Sequence, residues 1–436
     1  MKLKIGEERV IVRGIRPEER MWGPYQFPRP YNIDGKIIVS VHVTEDNMKN
    51  TGEPTRWFES VDGGESWQES KSTAEKVAAS CGVLLESGDR LYFPLEGGKV
   101  LSDYKIPPLT YNTPDIDFTK QAEEGTLPMH DGMTFWFDGT VIRAYKAERL
   151  PPSLCKKEWK AMRIKKGETE AAPETVKVEW DCLTRVVYSG PQYNNVMKPI
   201  YPRGTPKIGP DGAVWVAAFS GEGHINPENG LYSPYYSAEL FRSDDNGHTF
   251  EHRSHMEDPA DGTADYPYAS GGFSDSDFEF MPDGSMIWVF RSTWALSVGK
   301  EWAPMYISRS TDMGRTWSKP KVFTEMGVLP RFVTLPCGAT LICYARPGTY
   351  VRLCEDGKGE VWSEPYEIMT ASDRSHLHNI KVETPTFHEY VGSCNNPELI
   401  RLDDRSVLIV YSDFYYPDED GVKRKTILSR KITVED

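Results

Sequence analysis

Charged side chains stand at the ends of several apolar, strand-like runs of this sequence. In the run GGFSDSDFEFMPDG, Asp275 and Asp277 are two residues apart and are expected on the same face of one strand. A carboxylate in a pocket can act as a general acid or base, and two of them can activate a water between them. Three further acidic candidates near predicted strand ends are Asp46, Glu53 and Glu398. This pattern favours acid–base catalysis on a polar substrate.

Arginines form the second group at predicted strand ends. A guanidinium group binds carboxylates through two parallel hydrogen bonds and stays charged at every working pH. The competing interpretation is that each arginine pairs with a neighbouring aspartate or glutamate. The pattern predicts an anionic ligand, and the candidate substrate-binding residues are Arg29, Arg291, Arg346, Arg203, Arg331, His42, His130, Asn395 and Asn396.

A recurring hairpin pattern must position these residues. An apolar run, a tight turn and an alternating apolar strand follow one another, as expected for two antiparallel strands. The pattern recurs at roughly 50–70 residues, which is the size of a propeller blade. Its seven copies are PYNIDGKIIVSVHV (30–43), GVLLESGDRLYFPL (82–95), MTFWFDGTVIRAY (133–145), PKIGPDGAVWVAAF (206–219), FEFMPDGSMIWVF (278–290), FVTLPCGATLICYA (332–345) and ELIRLDDRSVLIVY (398–411).

A second motif follows several of these hairpins. SVDGGESW (60–67), SDDNGHTF (243–250) and STDMGRTW (310–317) all fit Ser-x-Asp-x-Gly-x-Ser/Thr-aromatic, and CEDGKGEVW ends at Trp362 as a degraded copy. The aspartate can accept backbone N–H groups within the turn, the glycine supplies positive φ, and the aromatic ring packs between layers. The motif predicts a turn inside a repeated unit.

These three segments resemble the Asp boxes, or BNR repeats, of the sialidase superfamily. The resemblance covers nearly the whole chain at the level of repeats. It implies an all-β fold, a single β-propeller of four-stranded blades over residues 1–436. The boxes identify the fold far better than the reaction, since propellers with other activities carry them too.

Laying out the blades gives seven, whereas sialidases have six. The predicted bounds are 25–78, 79–126, 129–192, 198–262, 268–325, 327–373 and 393–434, and the N-terminal segment 3–13 supplies the last outer strand and closes the ring. Six blades, with 129–192 as an insertion, is the alternative.

The resemblance also implies roles. Arg29, Arg291 and Arg346 stand where the family places its carboxylate-binding arginines, and Asp275 stands where it places a glutamate base. Asp46 and Glu53 are the candidates for the family's acid/base aspartate. The family's tyrosine nucleophile has no counterpart, since the last blade opens with GSCNNPEL.

Three functions therefore stay open. The first is an exo-acting glycoside hydrolase that cleaves a terminal acidic sugar, of the sialic or uronic acid type. The second is a polysaccharide lyase or a rhamnosidase-like enzyme on uronate glycans, with His42 or His130 in the site. The third is a non-catalytic propeller that binds glycans.

Composition limits the partners. The net charge of −14 and the absence of long basic runs argue against nucleic acid. No stretch of about 18 apolar residues predicts a membrane span, and the charged N-terminus does not read as a secretory signal. The seven cysteines show no metal-ligand spacing, so we expect reduced thiols, a cytoplasmic location, no metal and no cofactor.

Overall fold

The computed structural model shows an all-β protein. It describes residues 1–14, 25–33, 35–43, 54–71, 82–94, 99–102, 104–106, 132–135, 141–180, 184–190, 193–197, 202–220, 237–256, 273–292, 304–346, 348–369 and 396–436. In these residues the only helices are the 3₁₀ turns Ala147–Arg149 and Pro152–Leu154. None of the described helices is long or apolar enough to cross a membrane.

Twenty-nine strands are described. In chain order they are β1 Lys2–Arg13, β2 Tyr25–Ile33, β3 Lys36–Val43, β4 Arg56–Ser60, β5 Gln68–Glu69, β6 Val83–Leu84, β7 Arg90–Tyr92, β8 Lys99–Val100, β9 Gly132–Phe135, β10 Val141–Lys146, β11 Glu158–Ile164, β12 Ala172–Glu179, β13 Thr184–Gly190, β14 Tyr193–Met197, β15 Pro202–Ile208, β16 Val214–Ser220, β17 Ser237–Ser243, β18 Thr249–Met256, β19 Phe273–Phe280, β20 Met286–Ser292, β21 Met305–Ser310, β22 Lys321–Thr324, β23 Val328–Thr334, β24 Thr340–Ala345, β25 Thr349–Leu353, β26 Tyr366–Met369, β27 Glu398–Arg401, β28 Ser406–Pro417 and β29 Lys423–Glu435.

Most strands fall into four-stranded antiparallel sets that follow chain order. We call them sheet I (β2–β5), sheet II (β6, β7, β11, β12), sheet III (β15–β18), sheet IV (β19–β22), sheet V (β23–β26) and sheet VI (β27–β29 with β1). Sheets II and III join edge to edge, because β12 pairs in parallel with β18. All seven predicted hairpins are antiparallel strand pairs.

The apolar core lies between successive sheets. Separate clusters of buried side chains fill the junctions II–III, III–IV, IV–V, V–VI and VI–I. The first strands of neighbouring sets also contact each other, in the pairs β6–β15, β19–β23, β23–β27 and β27–β2. The first strands are therefore the inner strands, and residues at their starts are brought together.

The predicted third blade, 129–192, is not one four-stranded set, and the count of seven is not confirmed. Strands β9, β10, β13 and β14 form a five-stranded sheet with β8, whereas β11 and β12 complete sheet II. The reason is the apolar face of β11, where Trp159 packs against Phe241 and Phe250 of sheet III. Burying that face against sheet III favours pairing β11 with β7 over pairing it with β10, the strand before it in the chain.

The turns after β4, β17 and β21 share one hydrogen-bond pattern. In the last of them, the Ser310 hydroxyl donates to Asp312, and the Ser310 oxygen accepts the Gly314 N–H at 2.9 Å. Asp312 Oδ1 accepts the backbone N–H of Thr316 at 2.9 Å, as predicted for these aspartates. Bonds from Thr316 hold the pKa of the Asp312 carboxyl far below its usual range.

The degraded copy after β25 keeps the same geometry with a thiol in place of the hydroxyl. Cys354 donates to Asp356 at 3.1 Å and accepts the Gly359 N–H at 3.3 Å. Cys343 is also buried, whereas Cys155 and Cys337 are half-buried thiols.

Strand β1 is the outermost strand of sheet VI and pairs antiparallel with β29. Side chains of β28 and β29 also contact β1. The Tyr411 hydroxyl donates to Glu8 Oε2 at 2.7 Å, and Arg430 Nη2 lies 3.1 Å from the same oxygen.

Candidate functional site

The inner strands are irregular where they carry charged side chains. Register shifts, typical of β-bulges, interrupt the first strand of sheets I, III, IV and V. The bulges of β2 and β23 end at Arg29 and Arg331, and that of β19 contains Asp275. A bulge turns a side chain away from the regular alternation, and bulges are common beside active sites.

Three residues at or just before the starts of inner strands also have strained backbone. Phe27, Leu329 and Asn396 have φ of 47°, 53° and 42°, although none is glycine. Each is followed by a proline. The residue after that proline is Arg29, Arg331 or Glu398, respectively. Positive φ in such residues costs about 1–3 kcal/mol and persists only where the surrounding structure enforces it. Sheets I, V and VI therefore share one motif at their inner strands, in which a residue with positive φ is followed by proline and then by arginine or glutamate.

Arg331 and Glu398 form an ion pair between the inner strands of sheets V and VI. Arg331 Nε donates to Glu398 Oε1 at 3.0 Å, and Arg331 Nη1 donates to the Pro330 carbonyl at 2.8 Å. Burial alone would lower the pKa of Arg331, but Glu398, Asp277 and Asp275 together raise it. Arg331 is thus surrounded by carboxylates from both neighbouring sheets.

A second ion pair lies within sheet IV. Arg291 Nη1 donates to Asp275 Oδ2 at 2.7 Å, since the register of β19 and β20 places Arg291 opposite Ser274. The side chains are 26% and 17% exposed, so the pair is partly shielded from water. Arg291 and Arg331 therefore each pair with a carboxylate of the protein itself, Arg291 within sheet IV and Arg331 between sheets V and VI.

Asp277 belongs to a different group, together with Lys207 of sheet III. Lys207 Nζ lies 3.2 Å from Asp277 Oδ1 and 3.2 Å from Glu279 Oε2, and it also donates to the Phe278 carbonyl. Asp277 Oδ2 accepts the backbone N–H of Phe332, on β23, at 2.8 Å. Both oxygens of Asp277 are therefore bound by the protein itself.

The electrostatics of this group follow from burial. Burial would lower the pKa of Lys207, but Asp277 and Glu279 outweigh it and raise that pKa. For Glu279, burial is the largest effect and raises the carboxyl pKa; Asp277 adds to the rise, and Lys207 only partly opposes it. Lys207 is thus held charged, whereas Glu279 is biased toward its neutral form.

Arg29 and His42 form the part of the site on sheet I. Arg29 is exposed, and no carboxylate oxygen among the described residues lies within 4.0 Å of its guanidinium group. Burial lowers the pKa of His42, and the Arg29 charge lowers it further. The neutral form of His42 is therefore favoured, and the Arg29 guanidinium group is available to another group.

Asn396 and Arg346 stand at strand ends with unusual backbone. Asn396 is 4% exposed, and its Oδ1 has no hydrogen-bond partner within the described part of the chain. A buried amide oxygen in that state is suited to a ligand donor. Arg346 follows β24 with φ of 82°, and its N–H donates to the Gly348 carbonyl at 2.7 Å.

Four candidates lie outside the described residues, namely Asp46, Glu53, His130 and Asn395, and for Arg203 the structure describes the backbone in β15 without the side chain. Where residues are described, no group of three or more His, Cys, Asp or Glu could hold a metal ion.

Sequence reasoning missed Lys207 and Glu279. Glu279 had a signal, because it continues the alternation of Asp275 and Asp277 along β19. Lys207 had only its place near the end of an inner strand. Its partners come from another sheet, and only the packing of sheet III on sheet IV brings them together.

No model of a protein family matches the chain, and no curated protein matches it. Solved structures do resemble it. A protein of unknown function from Dyadobacter fermentans is 14% identical over 99% of both chains, with a TM-score of 0.48. An α-L-arabinofuranosidase from Fusarium graminearum, with an iminosugar inhibitor, is 13% identical over 98% of both, with a TM-score of 0.45. The sialidase of Trypanosoma rangeli, with sialic acid, is 10% identical over 99% of this chain and 59% of its own, with a TM-score of 0.41.

Proposed function

We propose that this chain is a glycoside hydrolase that removes a terminal acidic sugar at the inner strands of its sheets. The observation that carries the proposal is the arrangement around Arg331, which has carboxylates of sheets IV and VI on either side. Arginine and carboxylate groups together suit a sugar ring, which presents many hydroxyl donors and acceptors.

The fold proposed for this function is a propeller of six blades, sheets I to VI, with the five-stranded sheet as an insertion. The cores at five junctions between successive sheets and the contacts in four pairs of first strands support it. The site then lies where the inner strands meet.

Asp275 and Glu398 are the proposed catalytic carboxylates. Each has one described ion pair with an arginine, which orients the carboxyl group. Asp277 is less suited, because Lys207 and Phe332 bind both of its oxygens. Asp277 therefore changes from a catalytic candidate to a positioning residue in this proposal.

Arg29 is the proposed partner of the substrate's acidic group. Arg291 and Arg331 already pair with carboxylates, whereas Arg29 has no such partner among the described residues. A free guanidinium group gains most from a carboxylate ligand, because a charge-assisted pair of hydrogen bonds forms without breaking an internal one. The neutral His42 adds a polar group without adding repulsion.

The proposed mechanism uses two carboxylates without a tyrosine nucleophile. One carboxyl group protonates the leaving oxygen, and the other activates a water that attacks the anomeric carbon from the opposite face. The C–O bond to the leaving group breaks as the new C–O bond to water forms, and the water's proton passes to the base. This route needs no tyrosine at the start of the last inner strand, β27, which follows Asn396 and Pro397.

A uronate lyase is the second candidate, and the state of His42 favours it. A neutral imidazole beside an arginine can take the proton α to a carboxylate whose charge the arginine neutralises. Glycosidic bond elimination would then leave an unsaturated sugar that absorbs ultraviolet light.

A matched set of substrates tests the proposal. The 4-methylumbelliferyl glycosides of sialic acid and glucuronic acid are compared with those of glucose and arabinofuranose, and ultraviolet absorbance is followed on polyuronates. Release from an acidic glycoside alone supports the proposal. Faster release from a neutral glycoside contradicts the acidic substrate, and an absorbance rise on polyuronate replaces hydrolysis by elimination.

A further inference from the structure

A continuous chain of polar contacts connects the inner strands of four successive sheets. Lys207 of sheet III binds Asp277 of sheet IV, with Nζ 3.2 Å from Oδ1. The other oxygen of Asp277 accepts the Phe332 N–H of sheet V at 2.8 Å. Arg331, the residue before Phe332, donates to Glu398 of sheet VI at 3.0 Å. Lys207 is thus linked to the proposed catalytic Glu398 through the backbone of β23.

We infer that Lys207 is a positioning residue for this site, which acts through Asp277 and the β23 backbone on the Arg331–Glu398 pair. This inference rests on the proposed function, in which Glu398 is catalytic. It assigns a task to a residue whose ammonium group is bound by protein oxygens and is not left for the substrate.

The surroundings of Lys207 are built around its charge. Its Nζ lies 5.2 Å from the centre of the Phe278 ring and 5.8 Å from that of Phe332, and its side chain is 19% exposed. Both aromatic faces attract a cation, and the Phe278 carbonyl accepts one of its N–H groups. An uncharged side chain of similar size would leave the Phe278 carbonyl and the carboxylates of Asp277 and Glu279 without the ammonium donor.

The carboxylates near Lys207 make the effect electrostatic as well as geometric. Asp275, Asp277 and Glu279 alternate along β19, with Arg331 opposite on β23 and Glu398 beyond it on β27. Without the ammonium group, Asp277 and Glu279 would be two neighbouring, partly buried carboxyl groups. Mutual repulsion would then push the two side chains apart, and burial and Asp277 would raise the pKa of Glu279 further.

The consequence concerns the bond from Phe332. Lys207 holds the Asp277 carboxylate with Oδ2 on that N–H, so loss of the ammonium group would let the carboxylate turn away from Phe332. The charge of Lys207 also lowers the pKa of Glu279, so without it that pKa would rise, and the charge beside Asp277 that supports the Arg331–Glu398 geometry would change at a higher pH. A residue that merely joins sheets III and IV would change stability and leave this pH dependence unchanged.

The test compares Lys207→Met with Lys207→Arg, using the acidic 4-methylumbelliferyl glycoside that the wild type hydrolyses. For Lys207→Met we expect kcat to fall about tenfold or more and KM to change less than about threefold, because the substrate contacts remain. In Lys207→Met, the acidic limb of the pH profile of kcat/KM should move up by about one pH unit. Lys207→Arg keeps the positive charge and should show little of that shift. An unchanged limb with only a lower melting temperature overturns the inference.

Two further measurements keep the inference decidable. If Lys207→Met does not fold, the double variant Lys207→Met/Glu279→Gln removes the uncompensated charge and is used in its place, with Glu279→Gln as its control. If the wild type hydrolyses no glycoside, the proposed function fails by itself. Amide hydrogen exchange at Phe332, which donates to Asp277, is then compared in both proteins: faster exchange in the variant supports the role of Lys207, and equal exchange refutes it.

Discussion

Arg331 donates a hydrogen bond of 3.0 Å from Nε to Oε1 of Glu398, and this bond joins the inner strands of sheets V and VI. Both residues follow a proline that is preceded by a residue with positive φ. The strained backbone before each residue therefore orients two opposite charges toward one another. Their meeting point is the centre of the proposed site.

Replacement of Glu398 by glutamine should abolish most activity. The amide keeps the shape of the side chain but can neither give nor take the proton, so we expect kcat to fall by about 10²–10⁴. The initial rate on the preferred glycoside measures it. Glu435→Gln, at an exposed carboxylate, is the matched control, and equal rates in the two variants would remove Glu398 from the catalytic list.

Replacement of Arg29 by alanine should weaken binding of acidic substrates selectively. Loss of one charge-assisted pair should raise KM for the acidic glycoside about tenfold or more, and leave a neutral glycoside unaffected. Arg405→Ala removes an arginine that pairs with Asp436 away from the inner strands and serves as control. A parallel loss on both classes of glycoside would mean that Arg29 does not recognise charge.

The Ser-x-Asp-x-Gly turns after β4 and β21 should make the protein sensitive to acid. Bonds from Thr316 depress the pKa of Asp312 in the folded state, and those from Ser66 do the same for Asp62. Their contribution is present above the unfolded pKa of about 4 and is lost as pH falls toward the lower folded value. The melting temperature should therefore drop below about pH 4 in the wild type, and Asp312→Asn should flatten that drop. Parallel curves would show that the turn bonds do not carry the effect.

Two glycines with similar φ should respond differently to alanine. Gly247 has φ of 79° and a Cβ there would lie 2.3 Å from Leu91 of sheet II, whereas Gly284 has φ of 83° and open space around it. Gly247→Ala should lose about 1–3 kcal/mol more unfolding free energy than Gly284→Ala, because the extra methyl group overpacks the junction. Chemical denaturation gives both values, and equal losses would contradict the contact of sheets II and III at this turn.

Much of the fold could be predicted from local patterns. The seven hairpins and the hydrogen bonds in the Ser-x-Asp-x-Gly turns depend on residues close in sequence, such as Ser310 and Asp312. Both predictions are confirmed. The pairing of β11 with β7 could not be predicted, since these strands lie more than 60 residues apart and the packing of Trp159 on sheet III decides it.

The site could be predicted in part for the same reason. Asp275, Arg331 and Glu398 were found from their places at strand ends, and they do come together. The pairing of Arg331 with Glu398 and that of Lys207 with Asp277 depend on contacts between sheets that no local pattern encodes. The x-Pro-Arg/Glu repeat at Phe27, Leu329 and Asn396 was a usable signal that sequence reasoning missed.

The most direct test of the central claim is a crystal structure of the chain with a bound acidic monosaccharide, such as glucuronic acid. We expect the sugar at the inner strands, with its carboxylate within hydrogen-bond distance of Arg29 and its ring between Asp275 and Glu398. A sugar bound elsewhere, or one at the inner strands with its carboxylate away from Arg29, would contradict the account.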